Sequence, residues 1–297
     1  MTILALEIGP TRLAAIEIAD DVGADQVRQI PVPGQGAWDK VRELLLDIAA
    51  GREVDAVGIA SNGPLDMAAG VVAPMQIPEW EAGFPLVESV RELFPAATVA
   101  LALDGVCLSL AERHFGATQD VMDSLAIHLG DTIVGGVMVG GFVVVGRTGN
   151  AGQVGHVLIP GYDDPCSCGG RGCLESVVGA RPLTSWAQRQ GWGGNSIASL
   201  AADAQAGDRV AVAALERAGT ALGRAIASVA ALLDIDRVVL GGPIAGPGSV
   251  LWKPLQNAVA MHARLPFLPG LRAVPSELAD LGLLAGAGVI ALTSQSE

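Results

Sequence analysis

Two neighbouring motifs constrain the fold of this chain: Ala151-Gly-Gln-Val-Gly-His156 and Cys166-Ser-Cys168-Gly-Gly-Arg-Gly-Cys173. Three of the four cysteines fall in the second motif, and the glycines between them let the backbone curl until the three sulfurs point inward. Structural zinc sites take four ligands in a tetrahedron, and His156 is the nearest candidate for the fourth. The spacing therefore predicts a closed zinc site that consists of His156, Cys166, Cys168 and Cys173.

Other interpretations of these cysteines remain open. They could be free or oxidisable thiols, although a redox pair usually has C-x-x-C spacing and this motif reads C-x-C-x4-C. A secreted disulfide framework would spread its cysteines along the chain. The apolar segment Met1–Ile8 has neither a basic region nor a small-residue cleavage site, so we expect no secretory signal. These features favour metal ligation in the reducing environment of the cytoplasm.

Length and charge limit the class of protein. With 297 residues, the chain is at the upper limit for one hydrophobic core, about 250–300 residues, so two lobes are expected. A net charge of −13 would repel nucleic acids and anionic membranes, so we expect neither as a partner. The acidity does not exclude ATP, because Mg2+ neutralises much of its charge. The most apolar window, Thr132–Gly146, is too short to span a bilayer.

Apolar runs and helical spacing predict alternating strands and helices. The predicted strands are Ile3–Ile8, Leu13–Ile18, Ala56–Ala60, Thr98–Leu103, Ser124–Leu129, Ile133–Val139, Phe142–Val145 and Arg237–Leu240. The predicted helices are Trp38–Ala49, Leu86–Phe94, Gly105–Phe115, Val177–Gly191, Ser196–Ala206, Val210–Leu233, Pro254–Ala263 and Gly286–Thr293.

Both halves of the chain begin with a strand, a glycine turn and a second strand before they pass into helices. This doubled pattern predicts an α/β protein with two lobes around a cleft. We expect a small lobe at 1–116, with a C-terminal helix at 286–297 packed back on it, and a large lobe with the zinc loop at 117–285. Ligands of open α/β sheets bind at the carboxyl ends of strands, and three predicted strands end in candidate turns: Ser61–Pro64, Asp104 and Gly241–Pro243.

The motif at 151–156, together with Cys166–Glu175, resembles the signature of the ROK family of bacterial sugar kinases and repressors. The resemblance covers nearly the whole chain. It implies a two-lobed actin-like, ribonuclease-H-like ATPase fold with a zinc-bound loop, and a homodimer. The repressors of the family carry an additional N-terminal DNA-binding helix-turn-helix. This chain starts at the first phosphate strand, so it is more similar to the glucokinase-like kinase branch.

The resemblance also implies which residues contact the sugar. Asp104, at a strand end, matches the carboxylate that orients the attacked hydroxyl and takes its proton, although it could also serve as a helix N-cap. The histidine of the family ligates zinc through one ring nitrogen and meets the sugar through the other. The alternative for Glu175 is a solvated helix carboxylate. The implied sugar-binding residues are Asn62, Gly63, Gln153, His156 and Glu175.

Three glycine turns of the family contact ATP. The matching residues are Gly9 and Thr11 in the first turn, Gly130, Thr132 and Gly135 in the second, and Gly241 and Gly242 in the third.

The chain departs from the family pattern on both sides of the site. Glu7 replaces an aspartate, and Pro10 removes a backbone N–H that phosphate could use. Asp131 puts an anion where phosphate oxygens are expected. On the sugar side, Leu103 replaces an asparagine and Gln153 a glutamate.

Three hypotheses follow from these residues. The first is an ATP- and Mg2+-dependent kinase of a hexose or hexose derivative, with Asp104 as the base. The second is a non-catalytic sugar-binding or sensory relative that has lost phosphoryl transfer, which the altered phosphate turns favour. A DNA-binding repressor is the third, and the acidic composition counts against it.

Overall fold

The computed structural model describes residues 1–19, 24–278 and 281–295. The strands are β1 (Ile3–Ile8), β2 (Arg12–Ile18), β3 (Arg28–Pro31), β4 (Ala56–Ser61), β5 (Leu65–Asp66), β6 (Val71–Val72), β7 (Thr98–Leu103), β8 (Ser124–Leu129), β9 (Ile133–Val139), β10 (Phe142–Val143), β11 (Arg237–Gly241) and β12 (Arg272–Pro275). The helices are α1 (Ala37–Ala49), α2 (Leu86–Leu93), α3 (Asp104–Phe115), α4 (Leu174–Val178), α5 (Ala180–Arg189), α6 (Ile197–Gln205), α7 (Arg209–Leu233), α8 (Trp252–His262) and α9 (Gly282–Thr293).

Contacts within the chain divide the described residues into two units. Unit 1 contains the described residues of Met1–His114, Val143–Gly152 and Asp280–Glu297. Its sheet has the strand order β3-β2-β1-β4-β7. Strands β1 and β2 are antiparallel, whereas β4 is parallel to β1 and β7 is parallel to β4. The carboxyl ends of β1, β4 and β7 therefore lie at one edge of the sheet.

Unit 2 contains Phe115–Phe142 and the described residues of Gln153–Ala279. Its sheet has the order β10-β9-β8-β11-β12, with β8 and β9 antiparallel and β8, β11 and β12 parallel. In both units the first strand is central, and the second and fourth flank it, so the two sheets share one strand order. The α/β prediction is confirmed. The lobe limits at 1–116 and 117–285 stay a prediction.

One predicted helix is wrong. The segment Val177–Gly191 is not continuous, because α4 and α5 separate at Gly179, which has a ψ of 147°. Pro182 explains the break. In a continuous helix its ring would clash with the carbonyl of Val178, whereas proline is tolerated in the first turn of a helix.

Other element limits differ less. The apolar pattern did not indicate β3 or β12, which are edge strands whose residues are exposed or half-buried. Helix α9 begins at Gly282 rather than Gly286, and β10 is shorter than predicted. Among the described helices, none is long and apolar enough to cross a membrane.

Two glycines allow α9 to pack closely inside unit 1. A Cβ on Gly58 of β4 would lie 1.8 Å from the carbonyl oxygen of Ala287. A Cβ on Gly286 of α9 would lie 1.8 Å from the carbonyl oxygen of Cys107 in α3. Both neighbours are backbone atoms that cannot rotate away. The helix is therefore held against β4 and α3 at distances that only glycine permits.

Gly286→Ala is expected to lower the free energy of unfolding by about 3 kcal/mol, because α9 must shift to relieve the clash. The gain in helix propensity from glycine to alanine, about 1 kcal/mol, is too small to offset it. Urea unfolding of both proteins measures the difference. Gly34→Ala is the matched control, since a Cβ there meets nothing within 4 Å. An unchanged or raised stability of Gly286→Ala would contradict the packing argument.

Candidate functional site

Asp104 lies where β7 ends and α3 begins, at the carboxyl edge of the sheet in unit 1. Its side chain is buried. Its Oδ1 accepts a hydrogen bond of 2.7 Å from the Gly105 N–H, and its Oδ2 accepts one of 3.2 Å from Nδ2 of Asn62. The first bond provides a hydrogen-bond acceptor for a backbone N–H in the first turn of α3. The second brings two predicted site residues together, and Gly63 follows Asn62 in the same loop.

Burial raises the pKa of Asp104 to about 6. The hydrogen bonds from Asn62 and Gly105 lower this pKa, and the negative charge of Glu7 raises it. A carboxylate with a pKa just below neutral is ionised at pH 7 and still basic enough to accept a proton from a hydroxyl as that hydroxyl reacts. The site therefore fits a general base.

Glu7 is buried one residue before the end of β1, and Arg12 at the start of β2 binds it with two hydrogen bonds. Arg12 Nε donates to Glu7 Oε1 at 3.1 Å, and Arg12 Nη2 donates to Glu7 Oε2 at 3.0 Å. The predicted phosphate residues Gly9 and Thr11 form the turn between these strands, and the Gly9 N–H donates to the Arg12 carbonyl at 2.9 Å. The sequence pattern indicated the turn but not this ion pair. The opposite charges of Glu7 and Arg12 on the two sides of the turn could have indicated it.

The four predicted metal ligands come together in unit 2. The candidate ligand atoms of His156, Cys166, Cys168 and Cys173 all lie within 4.8 Å of one another. The sulfurs of Cys168 and Cys173 are 3.8 Å apart, and Nδ1 of His156 is 3.8 Å from the sulfur of Cys166. A tetrahedral zinc with bonds of about 2.3 Å to sulfur places two sulfurs about 3.8 Å apart, so the cluster fits this ion.

Backbone hydrogen bonds set the shape of the cysteine loop. The Cys166 N–H donates to the Gly170 carbonyl at 2.9 Å, and the Gly169 N–H donates to the Cys166 carbonyl at 3.0 Å. Burial raises the pKa of Cys173, whereas the backbone N–H of Gly170 lowers the pKa of Cys168. Metal binding requires thiolates, so a metal here would displace protons from the cluster.

The rest of the loop is fixed to α7 by two arginines. Arg217 donates to Asp164 at 2.8 Å and lies over the ring of Tyr162, with 4.6 Å from Cζ to the ring centroid. Arg224 donates to the carbonyl of Pro160 at 2.7 Å. These contacts hold the chain between His156 and Cys166 against a long helix.

Glu175 lies in the first turn of α4, after the last cysteine, and is half-buried. Its Oε2 accepts a hydrogen bond of 2.7 Å from the Ile133 N–H, at the start of β9. A Cβ on Gly155 would lie 3.2 Å from the same oxygen, so Glu175 lies beside the segment that carries His156. Burial raises the pKa of Glu175, and the bond from Ile133 lowers it. This half-buried, hydrogen-bonded position does not fit the alternative of a freely solvated helix carboxylate.

Gln153 and His156 are exposed. Gln153 precedes a single 3-10 turn at Val154–His156, and His156 is the last residue of that turn. The Gln153 carbonyl accepts a hydrogen bond of 3.0 Å from the His156 N–H. Because Nδ1 of His156 faces the sulfur cluster, Nε2 is the ring nitrogen left for a second contact.

The second and third glycine turns meet at the carboxyl edge of the sheet in unit 2. Gly130 and Thr132 lie in the turn after β8, and Gly241 at the end of β11 pairs with His128 of β8. Gly242 has a φ of +100°, and a Cβ on it would lie 2.4 Å from the Leu129 carbonyl oxygen. The two turns are therefore in direct backbone contact.

Gly135 and His128 occupy strands at this edge of the unit 2 sheet. Gly135 lies inside β9, where it pairs with Ile127, and not in the turn itself. The ring of His128 fills the space between the turns, since added Cβ atoms on Gly130 and Gly241 would lie 3.1 and 3.3 Å from its nitrogens. The sequence pattern treated His128 as an ordinary strand residue, because its neighbours are contributed by a distant strand.

The sequence of this chain is similar to that of known proteins over most of its length. The model of the ROK family matches residues 3–294. A glucokinase of Thermotoga maritima is 30% identical over 268 residues, with 84% of each chain covered. An N-acetylmannosamine kinase of Citrobacter koseri is 32% identical over 246 residues, with 82% of this chain and 84% of that protein covered.

A solved structure shows the same fold. The ROK hexokinase from Thermus thermophilus superposes with a TM-score of 0.82 at 29% identity and covers 100% of this chain and 99% of its own. The actin-like sugar-kinase fold expected from the sequence is confirmed. The family match over nearly the whole length and the two curated relatives show that this chain belongs to the ROK family.

Proposed function

We propose that the chain is a sugar kinase that transfers the γ-phosphoryl group of ATP to a hydroxyl of a hexose or hexose derivative. The observation that carries this proposal is the environment of Asp104, a buried carboxylate with a pKa of about 6 that is held by Asn62 at a strand end. Membership of a family whose relatives are named glucokinase and N-acetylmannosamine kinase supports it.

The chemistry assigned to Asp104 is general base catalysis. Its carboxylate accepts the proton of the attacked hydroxyl while the hydroxyl oxygen forms a bond to the γ-phosphorus. The bond from the γ-phosphorus to the oxygen that bridges to the β-phosphorus breaks, and that oxygen leaves with ADP. Magnesium enters with ATP as part of the substrate. Asn62 orients the carboxylate through its amide N–H.

The remaining sugar contacts are assigned to Gly63, Gln153, His156 and Glu175. Nε2 of His156 faces the sugar, because Nδ1 faces the sulfur cluster. Leu103 offers no amide to a sugar hydroxyl, and Gln153 offers a donor where the family has a carboxylate. A preference for an amino or N-acetyl sugar over glucose is consistent with these changes.

Zinc is assigned to His156, Cys166, Cys168 and Cys173. The distances among their ligand atoms suit a tetrahedral ion. Zinc supplies no step of the transfer; it fixes the tautomer and orientation of His156 and closes the loop. The nucleotide is assigned to the three glycine turns, at Gly9, Thr11, Gly130, Thr132, Gly135, Gly241 and Gly242.

A second candidate function is a sugar-binding or sensory protein without phosphoryl transfer. The observation that favours it is the first turn, where Pro10 has no N–H and the Gly9 N–H already donates to Arg12. The exposed carboxylate of Asp131 in the second turn also favours it.

A coupled assay of ADP release tests the proposal against the alternative. The substrates are ATP-Mg2+ and a panel of hexoses, amino sugars and N-acetyl sugars. Sugar-dependent ADP release by the wild-type protein, together with a nucleotide-induced thermal shift, is the expected result. A thermal shift with sugar but neither ADP release nor a shift with ATP would reject the kinase and support the sensory protein.

We also infer a homodimer in the cytoplasm. The family resemblance supports the dimer, and the clustered cysteines suit a reducing compartment. Light scattering of the purified protein measures its mass directly.

A further inference from the structure

Glu7 and Asp104 are two buried carboxylates at the same edge of the unit 1 sheet. Side chains of Glu7, Ala60 and Ala102 are in register across β1, β4 and β7. Two strand spacings separate the first from the last, about 10 Å, and Asp104 follows Ala102 by two residues. The negative charge of Glu7 acts on Asp104 and raises its pKa.

Arg12 neutralises Glu7 through a bidentate ion pair. The side chain of Glu7 is 4% exposed and that of Arg12 is 32% exposed, so the pair is shielded from water on the Glu7 side. Gln29 of β3 accepts a further hydrogen bond of 3.2 Å from Nη1 of Arg12, which fixes the plane of the guanidinium. A fork of this geometry specifies arginine rather than lysine.

We propose that Arg12 is a positioning residue for phosphoryl transfer: by holding Glu7 in a bidentate pair, it shields Asp104 from a second buried negative charge and preserves Asp104 as the proton acceptor. This inference rests on the proposed kinase function. In this chain Glu7 stands where the family has an aspartate in its first phosphate turn, and the proposal gives a role to Glu7 and its partner Arg12.

Few other charges act on Asp104 from the elements around it. Within their residue ranges, β4, β7 and α9 contain no charged side chain. On α3, the Cys107 thiol is buried, which raises its pKa, so it stays neutral. The charged residues Glu112, Arg113 and His114 lie two or more helical turns further along α3, about 12–15 Å away. Among the described residues, Glu7 is the charged side chain that raises the pKa of Asp104, and Arg12 is its ion-pair partner.

The test uses three variants of the full-length chain. Glu7→Gln keeps the shape and a carbonyl acceptor for Arg12 but removes the negative charge. Arg12→Gln removes the guanidinium, and Arg12→Lys keeps the positive charge but loses the fork. The titration midpoint of Asp104 is followed by carboxyl carbon NMR, with Asp104→Asn to assign the resonance. The pH profile of kcat/KM is recorded alongside it.

Opposite shifts are expected. The midpoint and the acid limb of the pH profile should move to lower pH in Glu7→Gln, since the like charge is gone. They should move to higher pH in Arg12→Gln, by about one pH unit. Arg12→Lys should restore part of the change. A merely structural role for Arg12 would lower stability without moving the two variants in opposite directions.

The outcome is decided by the NMR titration even if the wild-type protein shows no phosphoryl transfer. In that event the kinase proposal fails, while opposite shifts still establish that Arg12 sets the charge state of Asp104. Midpoints that coincide in wild type and Arg12→Gln, or that move in the same direction in Glu7→Gln and Arg12→Gln, overturn the inference. Thermal unfolding of each variant shows which proteins are folded, and Glu7→Gln remains informative if Arg12→Gln does not fold.

Discussion

Asp104→Asn is expected to lower kcat by about 10³-fold and to leave the KM values for sugar and ATP within about threefold. The substitution removes the proton acceptor but little of the structure. The carbonyl oxygen of the new amide side chain can still accept the hydrogen bond from the Gly105 N–H, and its NH2 group can donate to Oδ1 of Asn62 after a flip of the Asn62 amide. Steady-state kinetics on the best substrate of the panel measure the change.

The free energy of unfolding of Asp104→Asn shows whether a loss of activity reflects the lost proton acceptor or a damaged fold. The pKa of Asp104 in the folded protein, about 6, lies above the ordinary value of 3.8. The stabilisation that this raised pKa confers is fully present below about pH 3.8 and is lost as pH rises to about 6. At pH 7 the folded protein therefore bears the cost of a buried charge, about 3 kcal/mol from the difference in pKa.

Asp104→Asn removes that cost, so its free energy of unfolding at pH 7 should equal or exceed that of the wild type. Below pH 4 the advantage should disappear, because Asp104 is then neutral in the wild type as well. Urea unfolding at both pH values tests this. A variant that is inactive and also less stable at pH 7 would point to a structural role for the carboxylate, and one that keeps kcat within threefold would remove Asp104 as the base.

The sequence predicted the central strands well for a physical reason. Buried parallel strands such as β4 and β7 read as continuous apolar runs, which few other elements produce. Edge strands carry no such pattern, since only part of each residue is buried, and β3 and β12 were missed for that reason. The break at Gly179 was missed because helical periodicity continues across it, although Pro182 was visible in the sequence.

Some parts of the candidate site could be predicted from the sequence and others could not. The metal cluster could be predicted because all four ligands lie within one short segment, where spacing alone limits the geometry. The bond from Ile133 to Glu175, by contrast, joins residues 42 positions apart, and the position of the His128 ring between two turns depends on how β8 and β11 pair. The sequence can name such residues, but their partners are set by tertiary packing.

Cys168→Ser is expected to abolish metal binding and to lower the melting temperature by about 10 °C. Freshly purified wild-type protein should contain about one zinc ion per chain. Cys168 is exposed, so serine at this position disturbs no core packing. Three ligands remain, and the buried Cys173, whose pKa is raised, then reverts to the thiol. Metal analysis by mass spectrometry and differential scanning calorimetry give the two readouts.

The loss of zinc should act selectively on the sugar. His156 loses the ion that fixes its ring, so the KM for sugar is expected to rise about 10- to 100-fold, while the KM for ATP stays within about threefold. Cys107→Ala is the matched control, since this buried cysteine lies outside the cluster and its variant should keep the zinc. Wild-type protein without zinc, or Cys168→Ser that retains it, would contradict the assignment. An equal rise in the KM values for sugar and ATP would mean that the ion stabilises unit 2 as a whole and does not orient His156. If zinc orients the imidazole, only the KM for the substrate that the imidazole contacts should rise.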